Sequence, residues 1–485
     1  MKRARFVLTI LSALVFLYFL VPYEWFGHRP KGIKYFYEHE RPQLFVESCQ
    51  FTEVPLKGSE GEFKDEDFKL RGVVIAFRHG ERSPVIDVNS KFIPDCIPYK
   101  ETDRRSFDTY IKLLKSKDFR SFLKVDSAYP SFKWHPHPYR CEIGQMTAEG
   151  ALQLIKLGTH LHERYKAVDL FKDSNEANIL FSSSYFQRTF QSAIAFSSAF
   201  FYINKDLPSV FLRRSNNTYF CLDENCKCPK YDETRRTAEM ERAEEFWNRS
   251  PRTLFNRLQV LGSMVGLNFV EHPLQFQDVM LGRYICRRNT LPCNSVGECF
   301  TVNDFLETSD ETWEIARRMF EKTSPITRSL YVIESWTMLR NLQLAIQKAR
   351  SKAQGPKIIR VYSGHDITLE PLMHTLGIAH RIPPHYSSRI VFELYETESP
   401  LHDETVFVRL LFNGKDYTSD VEFCPPLVRG LCRGSNFEKF AKKRRTNTTK
   451  LGYDSGHLFL IKLDTSFPSQ LYNSHAYRNS YGQGN

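Results

Sequence analysis

The sequence predicts an α/β fold: a central, mainly parallel sheet flanked by helices, with a helical insertion that forms a cap subdomain. Three short apolar runs support this prediction, at Val73–Phe77, Asn178–Ser182 and Ile358–Tyr362. Continuous runs of this kind are typical of strands buried on both faces of a parallel sheet. A polar turn and a helical pattern follow each run, and such repeats place functional residues at the carboxyl ends of the strands.

The other elements follow in order along the chain. Helical patterns at Ser192–Phe201 and Glu370–Leu376 come after the second and third predicted strands. In residues 221–345, cysteine clusters are followed by long helical patterns, and we interpret this segment as the helical cap. Two apolar segments joined by a polar loop, Ile390–Tyr395 and Val406–Asn413, indicate an antiparallel strand pair.

The composition excludes several classes of protein. Of the 485 residues, 41% are hydrophobic and 25% are charged, which is an ordinary globular balance. Wholesale disorder, a collagen-like repeat and a polytopic membrane protein are therefore excluded. The formal net charge of +11 favours anionic partners, but it does not choose among nucleic acid, membranes and phosphorylated or sulfated substrates.

The amino-terminal segment predicts a membrane anchor. Three basic residues precede the uncharged apolar run Phe6–Val21, which is at the short end of the length needed to cross a bilayer. A cleaved signal peptide is the alternative, but no Ala-x-Ala pattern follows the run. Short spans suit thin early secretory membranes, so we expect a single-pass type II protein of the Golgi membrane with a luminal catalytic domain. The predicted parts are a cytosolic tail at 1–5, the anchor at 6–26, a stem at 27–70, the folded domain at 71–470 and a tail at 471–485.

Cysteines and glycosylation sequons also indicate a luminal protein. The eleven cysteines predict several disulfides and one odd thiol in an oxidising compartment. Metal binding by Cys221, Cys226 and Cys228 is the alternative, but no matching His/Cys pair follows at zinc-finger spacing. A luminal position also predicts no nucleic-acid partner. The predicted glycosylation sites are Asn216, Asn248 and Asn447.

The segment Ala76–Pro84 has the residue types that phosphoryl transfer needs. It leaves a predicted strand and enters a loop, where Arg78 and Arg82 bracket His79. Guanidinium groups are always charged, and their planar fork matches two phosphate oxygens. A neutral imidazole at His79 can attack phosphorus and form a phosphohistidine, while Gly80 lets the backbone turn tightly and a substrate come close. The alternative is a surface loop with a histidine between two solvated arginines.

This run resembles the Arg-His-Gly-x-Arg-x-Pro signature of the histidine phosphatase superfamily, and in particular its histidine acid phosphatases. Two downstream segments strengthen the resemblance: Gln187–Ser192, which contains Arg188, and Val361–Leu369, which contains a His-Asp pair. The resemblance implies a nucleophile, a general acid that needs a raised pKa or an acidic lumen, phosphate-binding side chains, and no metal or cofactor. Read separately, the aspartate of the pair is instead a helix N-cap. The implied nucleophile is His79, the implied acid is Asp366, and the implied phosphate ligands are Arg78, Arg82, Arg188 and His365.

One branch of the family resembles the chain most in its cysteines, in the segment Trp134–Thr147 and in its amino-terminal anchor. Members of this branch, the 2-phosphoxylose phosphatases, remove the 2-phosphate from xylose in the glycosaminoglycan–protein linkage region. The resemblance therefore implies a phosphorylated glycan as substrate. Two alternatives stay open: an acid phosphatase or phytase-like enzyme for another phosphomonoester, and a catalytically idle luminal binding protein.

Overall fold

The computed structural model describes residues 43–450 except 87, 89–95, 130, 140–141, 173–177, 204–206, 208, 221–230, 352–354, 379–382 and 398–403, and without the side chains of 445–450. The expected anchor, both expected tails and the cysteines at 221–228 lie outside the described residues. Within the described part, no helix combines the length and the hydropathy needed to cross a membrane.

One mixed sheet organises the described chain. Its strand order is β2-β4-β3-β5-β1-β6-β7-β8, and β9 pairs with β7. The pairs from β2 to β1 are parallel, whereas β6, β7, β8 and β9 pair antiparallel. The strands are β1 Lys69–Arg78, β2 Leu123–Val125, β3 Ile179–Ser184, β4 Val210–Ser215, β5 Ile358–Gly364, β6 Arg389–Glu396, β7 Val406–Phe412, β8 Lys415–Asp416 and β9 Cys432–Arg433. The predicted α/β class and the predicted antiparallel pair are confirmed.

Strand β1 shows why its sequence is continuously apolar. Val73, Ile75 and Phe77 pack into the core on one face of the sheet. Val74 and Ala76 pack into a second core on the opposite face. Side chains alternate between the faces of a strand, so the segment with a core on each face, Val73–Phe77, is apolar at every position. Burying each large side chain contributes roughly 1.5–3 kcal/mol, which fixes β1 at the centre of the sheet.

Helices cover both faces of the sheet and build the cap. The core on one face takes side chains from α2, α4 and α5, and the core on the other face takes side chains from α10, α11 and α12. The helices are α1 Gln43–Cys49, α2 Glu101–Lys115, α3 Lys117–Phe122, α4 Ala148–Lys166, α5 Gln187–Phe200, α6 Tyr231–Arg249, α7 Arg252–Met264, α8 Pro273–Val279 with a π-helical continuation Met280–Ile285, α9 Val302–Glu321, α10 Pro325–Ser351, α11 Asp366–Leu376 and α12 Gly434–Lys450.

The cap has a hydrophobic core of its own, built from α6 to α9. Phe45 and Phe51 belong to this core, and a disulfide joins Cys49 to Cys286. Farther along, the buried Glu60 lies 2.6 Å from Arg389 Nε on β6. Residues 43–70, which fall within the expected stem, therefore pack on the cap and on the sheet.

Several elements are longer than the sequence patterns indicated, and some were missed. The sequence pattern indicated a helix at Asp310–Lys322. Helix α9 begins eight residues earlier, at Val302, because Thr301 and Asp304 form a capping box. The missed helix α4 is buried around much of its circumference, which removes the polar stripe of a surface helix. Its sequence signal is the N-cap Thr147, whose side chain accepts from the Gly150 N–H.

Candidate active site

Three adjacent parallel strands bring the predicted site residues to one edge of the sheet. Strand β5 lies between β3 and β1, and Arg78 on β1 is level with Gly364 on β5. Ser183 on β3 is level with Ser363 on β5. Arg78 ends β1, and the loops and helices that follow these strands carry the other five predicted residues. The topology therefore gathers segments that are more than 280 positions apart in the sequence.

Gly80 is required for close packing of α4 against the loop after β1. A Cβ at this position would lie 2.1 Å from the Gly150 carbonyl oxygen in the first turn of α4. The Gly80 N–H donates to Ser192 Oγ on α5 at 3.2 Å. The sequence had suggested a tight turn and room for substrate, but the structural requirement is the approach of the helix backbone.

His79 is held as a neutral imidazole. The ring is buried, and Nδ1 lies 2.8 Å from the Gly80 carbonyl oxygen. A carbonyl oxygen only accepts hydrogen bonds, so Nδ1 carries the proton and Nε2 keeps its lone pair. Burial, together with the charges of Arg188 and Arg78, lowers the pKa of His79 well below its ordinary value. At neutral pH the His79 ring is therefore unprotonated at Nε2, and its lone pair is available for nucleophilic attack.

Arg78 contacts groups from two other segments. Nη1 donates to the Pro384 carbonyl at 2.7 Å, and the guanidinium lies 4.8 Å from the centre of the Tyr386 ring. Nη2 lies 3.0 Å from Asp366 Oδ2. These contacts fix the plane of the guanidinium beside His79.

Arg82 is oriented by a residue that the sequence did not single out. Its Nη1 lies 2.7 Å from Asp278 Oδ1 and donates to the Ser83 carbonyl at 2.9 Å. The other carboxylate oxygen of Asp278 accepts from the Val85 N–H at 2.8 Å. Burial would lower the pKa of Arg82, but Asp278, together with Tyr386 and Asp366, outweighs burial and raises it. Asp278 belongs to α8, so the cap holds a phosphate-binding candidate in place.

Arg188 and His365 meet from neighbouring strand ends. Arg188 stands at the second position of α5, 4.7 Å from the centre of the Phe186 ring, and its Nη2 lies 3.4 Å from His365 Nδ1. A helix N-terminus disfavours cations, and a bound anion would offset this cost. Burial and Arg188 lower the pKa of His365 well below its ordinary value.

Ser184 sets the hydrogen bonding of His365 and was also missed by the sequence reasoning. Its Oγ lies 2.8 Å from His365 Nε2. When Nδ1 accepts from Arg188, Nε2 carries the proton and donates to Ser184. When Nδ1 donates to a phosphoryl oxygen, the Ser184 hydroxyl donates to Nε2 instead. The Ser184 hydroxyl can therefore hydrogen-bond to either tautomer of His365. Ser184 is the last residue of β3, and a polar residue at the end of a predicted strand is the signal that could have identified it.

Asp366 differs from the expected protonated acid. It begins α11, its Oδ1 accepts from the Ile367 N–H at 2.9 Å, and its side chain is 35% exposed. Burial alone would raise its pKa, but Arg78 and Arg82 outweigh burial, so the pKa is lowered. Asp366 is the first residue inside the helix and His365 is the N-cap. The lowered pKa keeps the Asp366 carboxylate ionised at neutral pH.

The other predicted features lie outside the pocket. Asn216 and Asn248 are exposed, while the side chain of Asn447 is outside the described part. The prediction of disulfides is confirmed by Cys49–Cys286, Cys293–Cys299 and Cys424–Cys432. No group of three or more potential metal-binding side chains occurs among the described residues.

Comparisons with known proteins agree with this geometry. A sequence model of the histidine phosphatase superfamily (branch 2) matches residues 69–413. The protein named 2-phosphoxylose phosphatase 1 of Danio rerio is 26% identical over 428 residues, which cover 81% of this chain and 82% of that protein. The Homo sapiens protein of the same name is 24% identical over 412 residues, which cover 81% of this chain and 82% of that protein. The predicted family is confirmed: the chain belongs to the histidine phosphatase superfamily, branch 2, and is a phosphatase.

Proposed function

We propose that the chain is a phosphomonoesterase that acts through a phosphohistidine and removes the 2-phosphate of xylose in the glycosaminoglycan–protein linkage region. One observation carries the mechanism: the neutral, buried His79 lies among the guanidinium groups of Arg78, Arg82 and Arg188. Cations on several sides of an imidazole suit a phosphate whose charge spreads over its equatorial oxygens in the transition state.

In the first step, His79 Nε2 attacks phosphorus and the P–O bond to the sugar breaks. Asp366 gives its proton to the departing sugar oxygen. In the second step, Asp366 takes a proton from water, the water oxygen attacks phosphorus and the P–N bond breaks. Inorganic phosphate leaves and His79 returns to its neutral form.

The protonation of Asp366 is coupled to substrate binding. In the ligand-free site, Arg78 holds the pKa of Asp366 below its ordinary value. A phosphate dianion placed against Arg78 offsets this positive charge and adds negative charge of its own. Both effects favour the protonated carboxyl, so the substrate itself prepares the acid that its hydrolysis needs.

The choice of substrate is supported by the relatives named 2-phosphoxylose phosphatase 1, which align with most of the chain. We also propose a Golgi type II membrane position, anchored through residues 6–26. The described disulfides support an oxidising compartment for the folded part. Protease protection of the folded domain in intact Golgi vesicles tests the orientation.

The activity test uses the purified full chain on an oligosaccharide that carries xylose 2-phosphate, with inositol hexakisphosphate as the competing substrate. We expect phosphate release mainly from the oligosaccharide, and an acid-quenched phosphoenzyme in the wild type but not in His79→Ala. His137→Ala, at an exposed loop histidine, is the matched control. Preference for inositol hexakisphosphate overturns the proposed substrate, whereas turnover by His79→Ala overturns the mechanism.

A further inference from the structure

A second cleft lies between the cap helices α6 and α9 and the sheet-packed helices α10 and α11. Its cavity volume is about 110 Å³, and it is partly open to solvent. None of the six predicted catalytic and phosphate-binding residues lines it, so it is distinct from the phosphate site. Four aromatic side chains form much of its wall: Phe246, Trp313, Phe320 and Tyr331.

Two N–H donors of the cleft have no protein acceptor among the described residues. Trp313 is 3% exposed, and its Nε1 has no hydrogen-bond partner. His272 Nδ1 accepts from the Leu274 N–H at 3.2 Å, so the ring proton is on Nε2. Burial and Arg242 lower the pKa of His272 to about 3, so the ring is neutral. Acceptor oxygens on a ligand would match the His272 donor and, if the indole edge is reached, the Trp313 donor.

The charges of the cleft are balanced within the protein. Arg242 lies 3.5 Å from Glu370, which also accepts from the Tyr331 hydroxyl at 3.2 Å. Arg317 lies 2.8 Å from Glu314 and pairs with Glu321. A charged ligand would therefore gain little electrostatic binding energy in this cleft, and an uncharged ligand suits it better. A sugar ring combines oxygen acceptors with apolar C–H faces that pack on aromatic rings.

The cleft lies on the Asp366 side of the phosphate site. Glu370 follows Asp366 by four residues on α11, so the two side chains share a helix face about one turn apart. Pro383 lines the cleft, and the next residue, Pro384, accepts from Arg78. In the proposed mechanism, Asp366 faces the leaving group, so a glycan attached through the leaving oxygen extends towards the cleft.

We propose that this cleft is a subsite for an uncharged sugar unit of the substrate, beyond the phosphorylated sugar. The proposal rests on the proposed function, because it assumes that the leaving group is a glycan. Its role is in affinity and specificity, since none of the six predicted catalytic and phosphate-binding residues lines it.

The test fills the cleft without removing a contact. Ala316 is exposed and lines the cleft, so Ala316→Trp places a large side chain in it. Glu311→Trp is the matched control, because the helical repeat puts exposed Glu311 on the opposite face of α9. Each full-length variant is assayed on p-nitrophenyl phosphate, on xylose 2-phosphate and on a xylose-2-phosphate oligosaccharide with two further uncharged sugars.

We expect Ala316→Trp to raise KM for the oligosaccharide about tenfold, which corresponds to the loss of one good ligand contact. Its KM for the two smaller substrates should not change. Glu311→Trp should have the wild-type KM for all three substrates. Trp313→Phe, which keeps the ring and removes the N–H, changes KM in the same direction. Unchanged oligosaccharide kinetics in Ala316→Trp overturn the subsite.

A binding measurement separates this proposal from the proposed function. Saturation-transfer NMR with the unphosphorylated oligosaccharide reports the cleft whether or not phosphoxylose is hydrolysed. A signal that the wild type shows and Ala316→Trp lacks supports the subsite, whether or not phosphoxylose is cleaved. Failure to cleave phosphoxylose overturns only the proposed function. Absence of a signal from the wild type overturns the subsite.

Discussion

Asp366 Oδ2 lies 3.0 Å from Arg78 Nη2, so the proposed acid and a proposed phosphate ligand form an ion pair before any substrate arrives. The pair keeps the carboxylate ionised and also orients the guanidinium. An incoming phosphate must share Arg78 with Asp366. In the proposed mechanism, this relationship couples proton uptake by the acid to substrate binding.

Asp366→Asn removes the proton donor while keeping the shape of the side chain. We expect kcat on xylose 2-phosphate to fall by about 10²–10⁴-fold, because the sugar alkoxide is a poor leaving group without a proton. The loss on p-nitrophenyl phosphate should be much smaller, since its phenolate leaves readily. Steady-state assays of both substrates check this prediction, and equal losses on both would contradict the acid role.

The pH profiles of the wild type should differ between kcat/KM and kcat. The first reports the free enzyme, in which the pKa of Asp366 is lowered by Arg78, and the second reports the substrate complex. Because the reactive form is protonated, activity falls as pH rises through the pKa. We therefore expect the descending limb of kcat to lie at higher pH than that of kcat/KM. The Asp366→Asn variant should lack this limb, and coincident limbs in the wild type would count against coupled protonation.

Ser184→Ala leaves His365 Nε2 without its partner on β3. We expect kcat to fall roughly fivefold to tenfold, the value of one buried hydrogen bond, while Ser184→Thr keeps the hydroxyl and most of the activity. Nitrogen NMR of the imidazole should show a changed tautomer population in the alanine variant. An unchanged tautomer signal with reduced activity would instead indicate a general packing defect.

Asp278→Ala leaves the buried Arg82 guanidinium without its carboxylate. We expect the free energy of unfolding to fall by about 3–5 kcal/mol, as for other broken buried ion pairs. Inorganic phosphate should raise the melting temperature of the variant more than that of the wild type, because the anion replaces the lost carboxylate. Equal phosphate effects on both proteins would mean that Asp278 does not hold Arg82 for the anion.

Glu60→Gln tests the pH dependence of stability. Glu60 is fully buried, lying 2.6 Å from Arg389 and 3.5 Å from His160. Burial opposes ionisation, but these partners outweigh it and lower the pKa of Glu60 to about 2 from 4.5. The group therefore contributes roughly 3 kcal/mol of stability above pH 4.5, and this contribution is lost as pH falls towards 2. Urea unfolding at several pH values should show a flatter acid dependence in Glu60→Gln, and an unchanged slope would refute the assignment.

The sequence located the chemistry but not the residues that support it. The segment from Arg78 to Pro84 was recognisable because its residues are contiguous and their chemistry is specific. Asp278 was missed because it is 196 positions from Arg82, and its role exists only when the cap packs on the loop. The buried helix α4 was missed because burial on several sides erases the pattern that identifies a helix.

By itself, the sequence determined the α/β class, the family and the residue types that meet at the strand ends, since apolar runs and local motifs depend on neighbours along the chain. Tertiary structure alone decided the charge state of Asp366, the orientation of Arg82 and the tautomer choices of His365. Each of these depends on the distance to a group from a distant segment, and electrostatic and hydrogen-bond energies change steeply over a few ångströms.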